Sequence, residues 1–168
     1  TLPCDENGPC DFERELIAAA DPEVYFPDYF RLIFISAKPL DGSSGTVGRI
    51  LIDTADGQVP MSLAKLKYTS LDTGTGAHEF GHNLGVWHAS DYECGANVVG
   101  DNCESVWYGD TYDLMGCTPI GNYCGHFNPV FKGIVGWFGS ANVINVEAGV
   151  YRIKPYELPA NDLLVLKI

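Results

Sequence analysis

The residues best equipped for chemistry lie between positions 78 and 88: His78-Glu79-Phe80-Gly81-His82-Asn83-Leu84-Gly85-Val86-Trp87-His88. Two histidines four residues apart on a helix share one face and can grip a single metal ion. Glu79 follows the first of them and so points to one side of that ion. A carboxylate there is placed to take a proton from metal-activated water. Gly85 can adopt the positive φ that ends a helix and turns the chain. The turn lets His88 return as a third ligand. Three histidines leave a fourth position open, as a catalytic zinc site requires, whereas a structural zinc site is closed by four protein ligands. The chain has only four histidines, and three of them fall in this window.

The elements that must position these residues can be read from periodicity and punctuation. The segment from Ser70 to Gly76 is small and polar, and Asp72 or Thr73 is a candidate N-cap for a helix reaching about Leu84. Val59 to Tyr68 precedes it as a strand with Met61, Leu63 and Leu66 as apolar positions. Further back, residues 1–10 read as a loop. Phe12, Leu16, Ile17 and Ala20 recur at helical spacing over 11–20, with Asp11 as cap and Asp21-Pro22 as stop. Tyr29 to Ser36 has the composition of a strand. Its continuous apolar run, Leu32-Ile33-Phe34-Ile35, predicts a central strand covered on both faces. Thr46 to Asp53 reads as another strand, with Gly45 and Gly48 allowing a second backbone to approach.

After His88 regular patterning fades into an irregular stretch, 89–127, rich in Gly, Asn and Cys. Asn128-Pro129 then opens a helix, capped by Asn with Pro at its first position. Phe131, Ile134 and Val135 are its predicted buried stripe, and Gly136 its stop. The tail reads as strands over Val143–Val146, Val150–Ile153 and Leu163–Ile168. No repeat or low-complexity linker interrupts the chain. The organisation expected is therefore one catalytic domain over 1–168: an upper part, 1–88, a lower part, 89–140, and a β-rich tail, 141–168.

Composition bounds the rest. The 168 residues are 46% hydrophobic and 19% charged, which is globular. A formal charge of −12 repels nucleic acid and anionic membranes. No apolar run is long enough to span a bilayer, and no signal peptide is visible at the start. The six cysteines, Cys4, Cys10, Cys94, Cys103, Cys117 and Cys124, contain no Cys-x-x-Cys pair. They read as local disulfides, Cys4–Cys10, Cys94–Cys103 and Cys117–Cys124, and hence as a secreted, extracellular chain. A monomer is expected.

The zinc-binding pattern His78-Glu79-x-x-His82-x-x-Gly85-x-x-His88, followed by Met115 in a tight turn, resembles the metzincin clan of zinc endopeptidases. Tyr108-Gly109-Asp110, Asp113-Leu114-Met115-Gly116, Asn128-Pro129 and Gly136-Trp137 look closest to its gametolysin-like (M11) group. The resemblance spans about residues 29–137. It implies an α+β zincin fold with a mixed twisted sheet, a backing helix at 11–20 and an active-site helix. A disulfide-rich lower part carries the methionine turn and a last helix. A strand that usually precedes the backing helix in the clan has no counterpart in residues 1–10.

The resemblance further implies peptide hydrolysis, with His78, His82 and His88 on zinc and Glu79 as general base and acid. Met115 would form a hydrophobic floor. Peptide substrates would add as a strand along Thr46, Val47, Gly48, Arg49 and Ile50. Thr118, Pro119 and Ile120 would wall the pocket beside the scissile bond. The tyrosine that some metzincins carry just after the methionine is missing, because Gly116-Cys117 stands there. Tyr123 and His126 are alternatives, and a surface loop role suits both better. Asp101, Asp110 and Asp113 offer carboxylates for calcium, although Asp113 equally suits a role pinning the turn. Cys4 invites comparison with a latency thiolate, but a plain disulfide fits it better. A zinc amidase on a non-peptide substrate and a zinc-containing binding module remain open.

Overall fold

The computed structural model describes residues 11–37, 42–97, 100–116, 125–157 and 162–167. These form a mixed α+β structure with three α-helices and a mixed sheet. The chain divides into two compact units, Thr1–Trp87 and His88–Ile168. Among the described residues no helix is long and apolar enough to cross a membrane.

The first unit begins with helix α1, Asp11–Ala20. Strand β1, Arg31–Ser36, follows. Then come β2, Ser44–Gly45, β3, Ile50–Thr54, and the long β4, Gly57–Lys67. Helix α2, Thr73–Asn83, completes the unit's regular elements. β4 is the spine of the sheet. β1 runs parallel to it over Ser62–Lys67, while β2 and β3 run antiparallel. The apolar periodicity of each element converges on one core. Ile17 of α1, Phe26, Ile52 of β3, and Val59, Met61 and Leu63 of β4 are all buried together. Met61 and Ile52 are 0% exposed.

β1 departs from its predicted setting. Among the described residues only β4 pairs with it, so it is an edge strand rather than a central one. Leu32 and Phe34 pack on the core. Ile33 and Ile35 are 55% and 57% exposed. An unbroken apolar run is compatible with one covered face as well as two, because β-branched residues favour the strand on either face.

The predicted strand over Thr46–Asp53 is also altered. Only from Ile50 onward is it a strand. The pairing places four residues, 46–49, opposite only two of β4, Ser62 and Leu63. This is a bulge with two extra residues, and Thr46 sustains the ladder across it. Its N–H donates to Leu63 O at 2.9 Å, and its hydroxyl accepts the Leu63 N–H at 3.0 Å. A side-chain oxygen thus stands in for a backbone carbonyl.

The second unit has short strands: β5, Asp91–Glu93, pairs antiparallel with β6, Glu104–Val106. A disulfide joins Cys94 to Cys103, as the local spacing predicts. The other two predicted disulfides lie outside the described residues. Helix α3, Pro129–Ile134, starts where predicted, with the Asn128 side chain accepting the Phe131 N–H at 3.0 Å. Its predicted stripe is wrong in part. Ile134 is 59% exposed, and the residue it buries is Lys132, 3% exposed. The lysine's ammonium donates to Tyr156 O at 2.8 Å and lies over the Tyr156 ring, which explains how a cation is buried there. In the tail, β7, Val143–Asn145, and β8, Val165–Lys167, pair in parallel. Val150–Ile153 is not a strand: the segment is exposed, with Val150 fully so, and among the described residues no partner supplies a ladder.

Candidate metal centre

Helix α2 brings the first three chemical groups together. Asp72 is its N-cap, accepting the Thr75 N–H at 2.8 Å and the Thr75 hydroxyl at 2.7 Å. Gly85 ends the turn after the helix at φ +94°, and its N–H donates to His82 O at 2.8 Å. His78 and His82 then lie on one face, their rings edge-on with centroids 4.9 Å apart. Their spacing needs no further device than the helix itself.

His88, three residues beyond Gly85, is the first residue of the second unit. Each of the three histidines offers a ring nitrogen, and these nitrogens lie within 4.8 Å of one another. The donor set suits a borderline metal such as zinc without being specific to it.

The environment supports ligation. His82 is buried, with Nδ1 2.9 Å from Val86 O. Donation from Nδ1 to that carbonyl leaves the Nε2 lone pair for a metal. Burial, against the opposing hydrogen bond to Val86 and with the His78 charge adding to it, holds the His82 imidazole below its usual pKa. That direction favours the neutral ring that ligation needs. Glu79 is 7% exposed, and burial pushes its carboxyl up to about 7, against the opposing pull of Lys65. A carboxyl with that value accepts and returns a proton near neutrality.

The sheet grips α2 through the bulge. The Asn83 amide donates to Thr46 O at 3.1 Å and to Leu63 O at 2.7 Å. The Gly48 N–H donates to His82 O at 2.8 Å. At Gly45 a Cβ would meet Glu79 O at 2.5 Å, so glycine permits the close approach that the sequence predicts. Gly48 serves a different end: it sits at φ +72° with open space around it. Of the predicted substrate strand, Thr46, Val47, Gly48 and Arg49 form the bulge, and Ile50 begins β3. Thr118, Pro119, Ile120 and Tyr123 lie outside the described residues.

In the second unit Met115 is 0% exposed, and its carbonyl accepts the N–H of Ala89, the residue after His88, at 3.1 Å. Asp113 holds this turn. Its carboxylate is fully buried and accepts the Met115 N–H at 2.6 Å and the Asn128 N–H. Both of its oxygens are thus engaged in pinning the turn to the start of α3. Gly116 is required there, since any Cβ would collide with Asp110 O. His126 joins the same turn through its backbone, accepting the Leu114 N–H at 3.1 Å.

In the sequence Tyr108 reads only as part of a Tyr-Gly-Asp segment, with no contact expected at His88. The Tyr108 hydroxyl lies 2.6 Å from His88 Nε2, and the two rings overlap with centroids 4.0 Å apart. Tyr108 holds φ +59°, a left-handed conformation that costs energy for a tyrosine. Which of the two groups donates depends on the His88 tautomer. Tyr108-Gly109 is a local sign of a tight turn, but nothing in the sequence aims that turn at position 88.

No protein-family model, no curated protein and no solved structure matches this chain.

Proposed function

We propose that this chain is a secreted zinc-dependent endopeptidase of metzincin type. The observation that carries the reading is a three-histidine group together with a buried Glu79, next to His78 in the sequence, whose carboxyl is pushed up to about 7 by burial. A purely structural site needs no base and is closed by a fourth protein ligand. His78, His82 and His88 hold the metal. When bound, zinc acidifies water and stabilises negative charge on a carbonyl oxygen. Glu79 takes the proton from the attacking water and passes it to the leaving amine. The Val86 carbonyl keeps His82 in the ligating tautomer, and Asp113 keeps the methionine turn closed against α3.

Incubation with a mixed peptide library tests this. The unaltered chain is expected to cleave, and removal of metal by a chelator to abolish cleavage until zinc is restored. Glu79→Gln is expected to lose about a thousandfold in rate while still binding one zinc per chain. A chain that holds zinc yet cleaves no peptide would instead be a binding module.

A further inference from the structure

We propose that the pocket between Arg31 and Arg49 is a subsite for a peptide carboxylate. It has a volume of about 430 Å³ and is lined by Phe30, Arg31, Gly48, Arg49, Asn83 and Leu84. That volume lies in the range of pockets that hold small ligands or single side chains. All six residues belong to the first unit.

The charge at this place runs against the rest of the chain. Asp and Glu outnumber Lys and Arg by 22 to 10, yet two arginines converge on one pocket. Among the described residues neither faces a carboxylate. Each is steadied by an aromatic ring instead: Arg31 lies 4.9 Å over Phe80, and Arg49 lies 5.7 Å over Phe30. A ring attracts the guanidinium charge without accepting its N–H groups in conventional hydrogen bonds, so those groups remain available to a carboxylate. Two such guanidinium groups around a cavity with Phe30 and Leu84 in its wall suit an acid group borne on a short apolar stem. The net charge of −12 disfavours polyanions at long range, so the attraction is local to the two arginines.

The pocket also belongs mechanically to the metal-binding helix. Gly48 and Arg49 come from the bulge, and the Gly48 N–H is bonded to the carbonyl of His82. Asn83 and Leu84 are the residues that end α2. A peptide anchored here is therefore held by the loop that clasps the histidine helix. The proposal extends the peptidase reading to substrates that carry an acidic group, but its test is binding and needs no turnover.

Fluorescent peptides of one sequence provide the test, carrying Glu or Gln at an internal position and a free or amidated C-terminus. Their affinity is measured by polarisation on the zinc-loaded chain carrying Glu79→Gln, so that nothing is consumed. At least one carboxylate-bearing peptide is expected to bind about tenfold more tightly than its neutral counterpart. Preference for internal Glu identifies a side-chain carboxylate, and preference for the free end identifies a terminal one. Arg31→Gln and Arg49→Gln should each erase the preference with zinc content unchanged, while Arg14→Gln on α1 preserves it. Arg49→Lys keeps the charge without the planar fork and should restore only part.

Equal affinity for acidic and neutral peptides, or a preference that survives both arginine substitutions, overturns the proposal. So does displacement of the probe by inorganic phosphate at concentrations where acetate has no effect. The two readings fail separately. Equal binding alongside cleavage by the unaltered chain removes the pocket alone. Arginine-dependent binding without cleavage removes the peptidase alone.

Discussion

His82 and His88 belong to one group of three histidines but are held by opposite means. His82 rides on a capped helix, its Nδ1 on the Val86 carbonyl and its backbone on the bulge. His88 stands in a loop against a tyrosine ring whose own backbone is strained. The contrast extends to the units they come from. The first is organised by apolar side chains around Met61 and Ile52. The second buries a carboxylate, Asp113, and an ammonium, Lys132, and closes a loop with a disulfide. A sheet and two helices fix a histidine by repetition of geometry. A loop needs specific bonds for the same precision, because no ladder supplies them.

The sharpest way to break this comparison is to remove one support from each half. Met61→Ala deletes a fully buried side chain from the apolar core and is expected to destabilise by about 3 kcal/mol. Hydrogen exchange, followed by mass spectrometry on the metal-free protein, should accelerate over 57–67 and leave the rates over 113–116 and 128–135 unchanged. Asp113→Ala leaves the buried Met115 N–H and the partly buried Asn128 N–H without their acceptor and is expected to cost about 2 kcal/mol. Exchange should then accelerate around Met115 and α3 while β4 stays protected. A uniform response of both segments to either substitution would show one cooperative structure and end the distinction.

The same contrast governs what was legible in the sequence. Helix α1 and helix α2 could be placed because an apolar stripe and a cap are local signals, and both match the expected residues. The Cys94–Cys103 bond followed from proximity. Burial of β1 did not, since Leu32-Ile33-Phe34-Ile35 reads alike whether one face is covered or two. The bulge was hidden because it depends on a threonine hydroxyl accepting the N–H of Leu63, 17 residues on in the sequence, a pairing visible only once the register is known. Lys132 was hidden because its partner, the Tyr156 carbonyl, lies 24 residues on. Tyr108 was hidden for the same reason: local sequence states a turn, and only the fold states what the turn faces. The three-histidine group was legible as a pattern, whereas the Val86 carbonyl and the Tyr108 ring that contact it were not.

The smallest expected effect tests the capped helix, the more regular of the two supports. Asp72→Ala removes the side chain that accepts from Thr75 and should destabilise by about 1 kcal/mol at neutral pH. The backbone hydrogen bond from Thr75, then its hydroxyl, hold the Asp72 carboxyl below the usual carboxylate range. A carboxyl depressed in the folded state stabilises fully above its unfolded pKa, and that contribution is lost as pH falls through the folded value. The gap between the unaltered chain and Asp72→Ala, measured by urea unfolding without metal, should therefore hold constant from neutrality to about pH 5. It should then narrow through the acid range. A gap undiminished near pH 2 would mean that the cap acts through a neutral carboxyl, so that the charge at the helix start contributes nothing to positioning His78 and His82. A gap that closes as expected places this histidine pair under electrostatic control at the helix start. His88 depends instead on contacts within its loop, and the same substitution should leave exchange around Tyr108 and Met115 unchanged.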